Sequence, residues 1–225
     1  MSGKIDNVAA LTALGRVRLS ENFFMREMLY SEVGNLYGVP NIPEDPDVAV
    51  KIGSRLAQEV LEPLRKAFGH ISIRSAYRSP TLNNYCYERF KSGDTACWCI
   101  SNQDNAAQHI WDWRDEAGFF GATATVVIPG YIPYYEKTGD RTPLAWWIKD
   151  NIPDYAEVFF FRHLCAFNIR WYEGPSDKAI WYLDPPQREL ILRSGQPDFE
   201  GNHSHLYEKI IPNPLPKKGE VACSN

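Results

Sequence analysis

Two short stretches hold most of the side chains that could do chemistry: residues 73–83 read IRSAYRSPTLN, and residues 106–115 read AAQHIWDWRD. The first sets Arg78 at the end of an alternating segment, just ahead of a Ser-Pro turn. A guanidinium held on such rigid elements presents a planar fork that can take a peptide's terminal carboxylate through two parallel hydrogen bonds. The competing use of the same group is to anchor its own loop on nearby carbonyls. The second stretch offers one imidazole, His109, followed closely by Asp112 and Asp115. Further along, His163 and Cys165 share one face of a strand-like segment, and His203 and His205 flank a serine in EGNHSHLY. A thiol nucleophile needs a histidine and an orienting acid. Cys165 is too near His163 in sequence to pair with it across a cleft, which leaves His109 as its partner. Cys97 and Cys99 form CWC rather than the CxxC of a zinc or redox motif, and read as a core-facing loop.

The elements that must position these groups follow from periodicity and punctuation. Ser20 before ENFFMREMLYSEV reads as an N-cap opening a short amphipathic helix. YGVPNIPEDP is a loop, and from Asp47 the positions Val48, Ile52, Leu56, Val60 and Leu64 track one face of a long helix with a kink expected at Pro63 and an end at Gly69. HISIRSAY alternates as a strand, SPTLNNYCYERFK is a turn entering a helix, and GATATVVIPGYIP is a second strand ending in a proline turn. TPLAWWIKDNIP is a helix, and EVFFFRHLCAFNIRWYEG supplies one or two more strands. Beyond Gly174 the chain is Pro-rich and is expected to wrap the domain.

The 225 residues, 44% of them hydrophobic, suffice to bury one sizeable core. A net charge of −4 and the absence of any Lys/Arg block give no footprint for a phosphate backbone, so nucleic acid is an unexpected partner. No apolar run approaches the ~20 residues that span a bilayer, so no membrane partner is expected. The N-terminal segment lacks the pattern of a signal peptide, and the five cysteines read as reduced thiols. Both features lead to the expectation of a chain that is cytoplasmic as synthesised.

LSENFFMREML, and VLEPLRKAFGHISIRSAYRSPTLN with its SxYRSPxLN piece, resemble the M15 family of zinc D-Ala-D-Ala peptidases, which occur in bacterial wall-remodelling enzymes and phage endolysins. The resemblance covers roughly residues 18 to 173. It implies an α+β fold of the M15 or hedgehog-like type, a small mostly antiparallel sheet with helices packed on one side. It also implies that Arg78 helps to hold substrate, with Ser75 and Tyr77 beside it. The family's metal motif is SxHxxGxAxD followed by a distant ExxH, which supplies His, Asp and His to zinc and a glutamate as general base. Here Ala107 stands at the serine position and His109 at the first ligand. In the preferred alignment Gly121 opens the GxAxD strand and Thr125 replaces the aspartate, whereas the compact alternative would use Asp115. The last half-motif maps onto FNIRWYEGP, with Tyr172 at the third ligand position, Ile169 at the base, and Glu173 as the neighbouring carboxylate. His109 and Glu173 are therefore the catalytic candidates, and zinc the candidate cofactor with His109 as its ligand. Asp112, Asp115, His163, Cys165, His203 and His205 are the residues that could rebuild a metal site.

The expected organisation is an N-terminal arm (1–17), an M15-like domain (18–184) and a Pro-rich C-terminal extension (185–225). Three functions remain open: a peptidoglycan peptidase with an altered or lost zinc site, a non-catalytic domain that binds wall peptide or another protein, for example within a phage structural component, and an enzyme using His109 without metal. Release or delivery with a phage particle goes with the resemblance.

Overall fold

The computed structural model describes residues 5–211. Asn7 caps the first helix, α1 (Val8–Gly15), by accepting from the Ala10 amide, and Leu14 at its end is fully buried. The helix expected after Ser20 shrinks to the four residues of α2 (Met25–Met28), because its capping groups are used elsewhere. The Glu62 carboxylate accepts from Ser20 Oγ at 2.7 Å, from the Asn22 amide at 2.7 Å and from Asn22 Nδ2 at 2.8 Å. A further short helix, α3 (Glu32–Tyr37), is capped by Ser31 and stopped by Gly38 in the left-handed region at φ 67°.

The long helix begins at an Asp45 cap as α4 (Pro46–Leu56), widens into a π-helical segment (Ala57–Leu61) and continues as α5 (Glu62–Phe68). Pro63 cannot donate to the carbonyl four residues back. The helix absorbs this by widening over the turn before the proline instead of breaking there.

Six strands follow: β1 (Ser72–Ser75), β2 (Gly121–Val127), β3 (Tyr155–Phe161), β4 (Phe167–Tyr172), β5 (Ala179–Asp184) and β6 (Gln187–Leu192). They form one sheet in the order β1-β2-β4-β3-β5-β6, antiparallel throughout except for β3 beside β5. The fold is thus α+β with a mostly antiparallel sheet. Side chains alternate across it. Ala124, Val126, Val158, Phe160 and Ile169 enter the core, which Leu56, Val60, Leu61 and Leu64 of the long helix close from the other side. Thr123, Thr125, Glu157, Phe159, Asn168 and Arg170 point to the opposite face, partnered in register across β2, β4 and β3.

Residues on both sides of the expected 18–184 bounds take part in the same fold. Leu14, within the supposed arm, belongs to the core. The boundary drawn after residue 184 falls inside the β5–β6 hairpin, so the start of the Pro-rich extension completes the sheet. Its later part packs through α9 (Ser204–Tyr207) against α8 (Thr142–Asn151), where His203 stacks on Trp146 and bonds Asp150. Residues 212–225, including Cys223, lie outside the described part. The other four cysteines are free thiols, and no helix among the described residues is long and apolar enough to cross a membrane.

Candidate functional site

The sheet face away from the core forms the floor of a cleft of about 560 Å³, within the size range of ligand pockets. Ser79 caps α6 (Pro80–Lys91), the helix that follows the Ser-Pro turn, by accepting from the Leu82 amide. Inside α6, Asn83 is fully buried and joins the turn to the loop beyond. Its Oδ1 accepts from Asn105 Nδ2 at 2.6 Å and from Cys99 Sγ at 2.8 Å, and its Nδ2 donates to the Ile100 carbonyl and to Asn102 Oδ1. Asn105 ends α7 (Asn102–Asn105) and its Oδ1 accepts from the His109 amide at 3.2 Å. A chain of buried amides therefore links the SPTLN segment to the histidine loop.

That loop lies directly on the sheet. The Gln108 carbonyl accepts from the Thr123 amide at 2.9 Å, and the Ala107 carbonyl accepts from Arg170 Nε at 3.0 Å. Ala107 itself has φ 55°. A Cβ at Gly121 would collide with the Ala107 carbonyl oxygen, which explains why the strand must open on glycine. On its other side the His109 carbonyl accepts from the Arg78 amide at 2.8 Å. The ring is fixed as well. His109 Nδ1 meets the Ala76 carbonyl at 2.7 Å; a carbonyl only accepts, so Nδ1 carries the hydrogen and Nε2 keeps the lone pair. Burial, aided by the Arg78 charge, pushes the imidazole pKa down to about 3, so the ring is neutral at ordinary pH.

Beside His109 the cleft contains Thr125 and Asn168, directly opposite one another on β2 and β4. Thr125 Oγ1 donates to Asn168 Oδ1 at 2.6 Å, which leaves Asn168 Nδ2 as a donor without a described partner. Arg78 donates from Nη1 to Cys99 Sγ at 3.0 Å and, less closely, to Asn83 Oδ1 at 3.4 Å. Its Nε and Nη2 bond no described residue. Arg74 and Arg188 also line the cleft, and none of the three arginines forms an ion pair among the described residues. Among the described residues, Glu32 is the one carboxylate in the lining. The site is rich in donors and cationic.

Of the residues expected from sequence, Ser75, Arg78, His109 and Thr125 meet in this cleft. The others do not line it. Tyr77 is buried, donates to Asp112 Oδ1 at 3.0 Å and packs edge-on against Trp111. Tyr172 donates to Asp115 Oδ2 at 2.6 Å. Glu173 is exposed, accepts from the Phe120 amide and lies 3.7 Å from Arg114. Asp112 accepts the Glu44 and Asp45 amides, so both aspartates of the histidine loop hold backbone. The position across from Thr125 belongs to Asn168, four residues before the Tyr172 chosen by sequence. Both have the same parity along β4, and only the register with β2 distinguishes them.

The donor set does not suit zinc. A tight site needs three imidazole, thiolate or carboxylate ligands, and His109, Thr125 and Asn168 offer one. His163 is exposed near Asp184, His203 is tied to Asp150 and Asp198, and Cys165 belongs to a separate small cavity beside Arg141. Among the described residues, no three His, Cys, Asp or Glu side chains come together as a metal site. Cys99 lines the cleft, but burial raises its thiol pKa, contrary to what a nucleophile requires. No model of a known protein family, no curated protein and no solved structure matches the chain.

Proposed function

We propose that this chain is a non-catalytic, M15-like domain that binds a peptide by its terminal carboxylate. The observation that carries the reading is the donor set of the cleft left without partners among the described residues: Nε and Nη2 of Arg78, Asn168 Nδ2 and Arg74, with Glu32 the single carboxylate among the described lining residues. A carboxylate is the ligand group that accepts from such a fork in two places at once. The SAYRSPTLN resemblance points to wall peptides ending in D-Ala or to the end of a partner protein as its source, and to a place in a phage or cell-wall assembly. A peptidase with an altered zinc site is the second reading, favoured by His109, whose Nε2 keeps a lone pair beside the cleft.

Titration calorimetry with muramyl peptides ending in D-Ala, as free acids and as amides, tests the binding reading. Tighter binding of the acids supports it, and equal binding contradicts it. Incubating the same acids with the chain and added zinc separates the two readings. Release of D-Ala establishes the peptidase and ends the non-catalytic proposal.

A further inference from the structure

The cleft floor runs across the entire sheet. Each strand contributes to it: Ser75 at one end, then Thr125, Asn168, Phe159 and Leu183, and Arg188 at the other. Five inter-strand steps of about 4.8 Å make this path roughly 24 Å long. Its chemistry changes along the way. The Arg78 end presents hydrogen-bond donors, whereas the middle is apolar, floored by Phe159, Phe161 and Leu183. Two exposed apolar side chains, Trp98 (42% exposed) and Leu164 (46%), also line the cleft. At the far end the Arg188 guanidinium sits 4.7 Å from the centre of the Trp181 ring and has no ion-pair partner among the described residues.

A short ligand held at Arg78 would leave the apolar section and Arg188 uncovered. An extended chain advances about 3.3 Å per residue, so about seven residues fill the path. We infer that the cleft takes the acidic C-terminal end of a partner protein, about seven residues laid across the strands. Its terminal carboxylate lies at Arg78, apolar side chains cover Phe159 and Leu183, and an acidic side chain reaches Arg188. Charge complementarity selects this occupant, since cationic groups stand at both ends of the path and apolar surface between them. The inference rests on the carboxylate-binding reading above and adds length, apolar content and a second anionic contact to it.

Fluorescence anisotropy with labelled peptides of about three, five, seven and nine residues measures the length of the site. Each peptide is made as acid and amide, with and without a glutamate at its N-terminal end. Affinity should climb at least about tenfold from three to seven residues and then level off. The glutamate should strengthen binding of the seven-residue peptide, and Arg188→Gln should abolish that gain while leaving the acid-to-amide ratio intact. Equal binding of the three- and seven-residue peptides overturns the inference but leaves the carboxylate reading standing. So does tighter binding of a muramyl peptide ending in D-Ala-D-Ala, or an Arg188→Gln variant that still responds to the glutamate. An acid-to-amide ratio of one at every length removes both.

Discussion

Replacing Asn83 by alanine tests whether the buried amide chain holds the site together. The side chain is fully buried and makes bonds in two directions, but its partners do not suffer equally. Once Asn83 Oδ1 is gone, the single hydrogen of the Cys99 thiol can go to the Ile100 carbonyl, 3.3 Å away, and Asn102 keeps its bond to the Pro80 carbonyl. Asn105 Nδ2, 2.6 Å from Asn83 Oδ1, has no other acceptor among the described residues and is 2% exposed as a residue. One buried donor left unsatisfied costs about 1–3 kcal/mol, and the removed atoms leave a polar cavity besides. We expect a loss of about 3 kcal/mol in total, which at an m-value near 3 kcal/mol/M lowers the urea midpoint by about 1 M. Tryptophan fluorescence against urea measures it, with exposed Asn84→Ala as a control expected within about 0.5 kcal/mol of the parent. Because Asn105 also holds the His109 amide, the His109 ring resonances should move in the Asn83 variant and stay put in the control. An Asn83→Ala protein as stable as the control, with unmoved His109 signals, would refute the claim that these amides position the cleft.

Gly121→Ala should cost about 2–3 kcal/mol in urea unfolding, since its Cβ collides with the Ala107 carbonyl that carries the histidine loop, and an unchanged midpoint contradicts that packing. His109, with its pKa pushed down to about 3, should show flat imidazole NMR shifts from pH 8 to about pH 4.5. Because the folded pKa is depressed, the contribution of this group to stability is complete above the unfolded value near 6.5 and declines as pH falls from there toward about 3. A His109 imidazole titrating near 6.5 rules this out. Elemental analysis of protein purified without added metal should find less than about a tenth of a zinc per chain. Thr125→Asp combined with Asn168→His, which supplies the missing ligand types, should raise zinc retention markedly, and a parent that already retains a full equivalent shows that the donor set has been misjudged.

The parts of the fold with strong local signals were legible in the sequence. Ile71 and Ile73 alternate, GATATVV is small and β-branched, and Ser79-Pro80 opens a helix; each lies where its pattern placed it. What escaped depends on partners distant in sequence. Ser20 has the form of a cap, but Glu62, 42 residues away, takes its hydroxyl. β6 reads as polar because it is an edge strand, half exposed, and the Pro-Pro turn before it disguises the hairpin. Asn168 escaped for a related reason: an amide on a strand carries no catalytic signal until its register sets it against Thr125. Tyr172 and Glu173 rest only on mapping the family's last half-motif onto FNIRWYEGP. Tyr172, at the end of β4, donates instead to Asp115, and Glu173, just past the strand, accepts from the Phe120 amide.

Arg78 is the residue on which the functional account depends, and its contribution can be measured as a ratio. Charge-assisted hydrogen bonds to a carboxylate contribute about 1.5–3 kcal/mol, so a peptide acid should bind about ten- to a hundredfold more tightly than its amide. In Arg78→Ala that ratio should fall to near one. The melting behaviour should stay within about 1 kcal/mol of the parent, because among the described residues the Arg78 side chain bonds only through Nη1. An Arg78→Ala protein that unfolds outright, or that still prefers the acid by the parental ratio, would contradict the account.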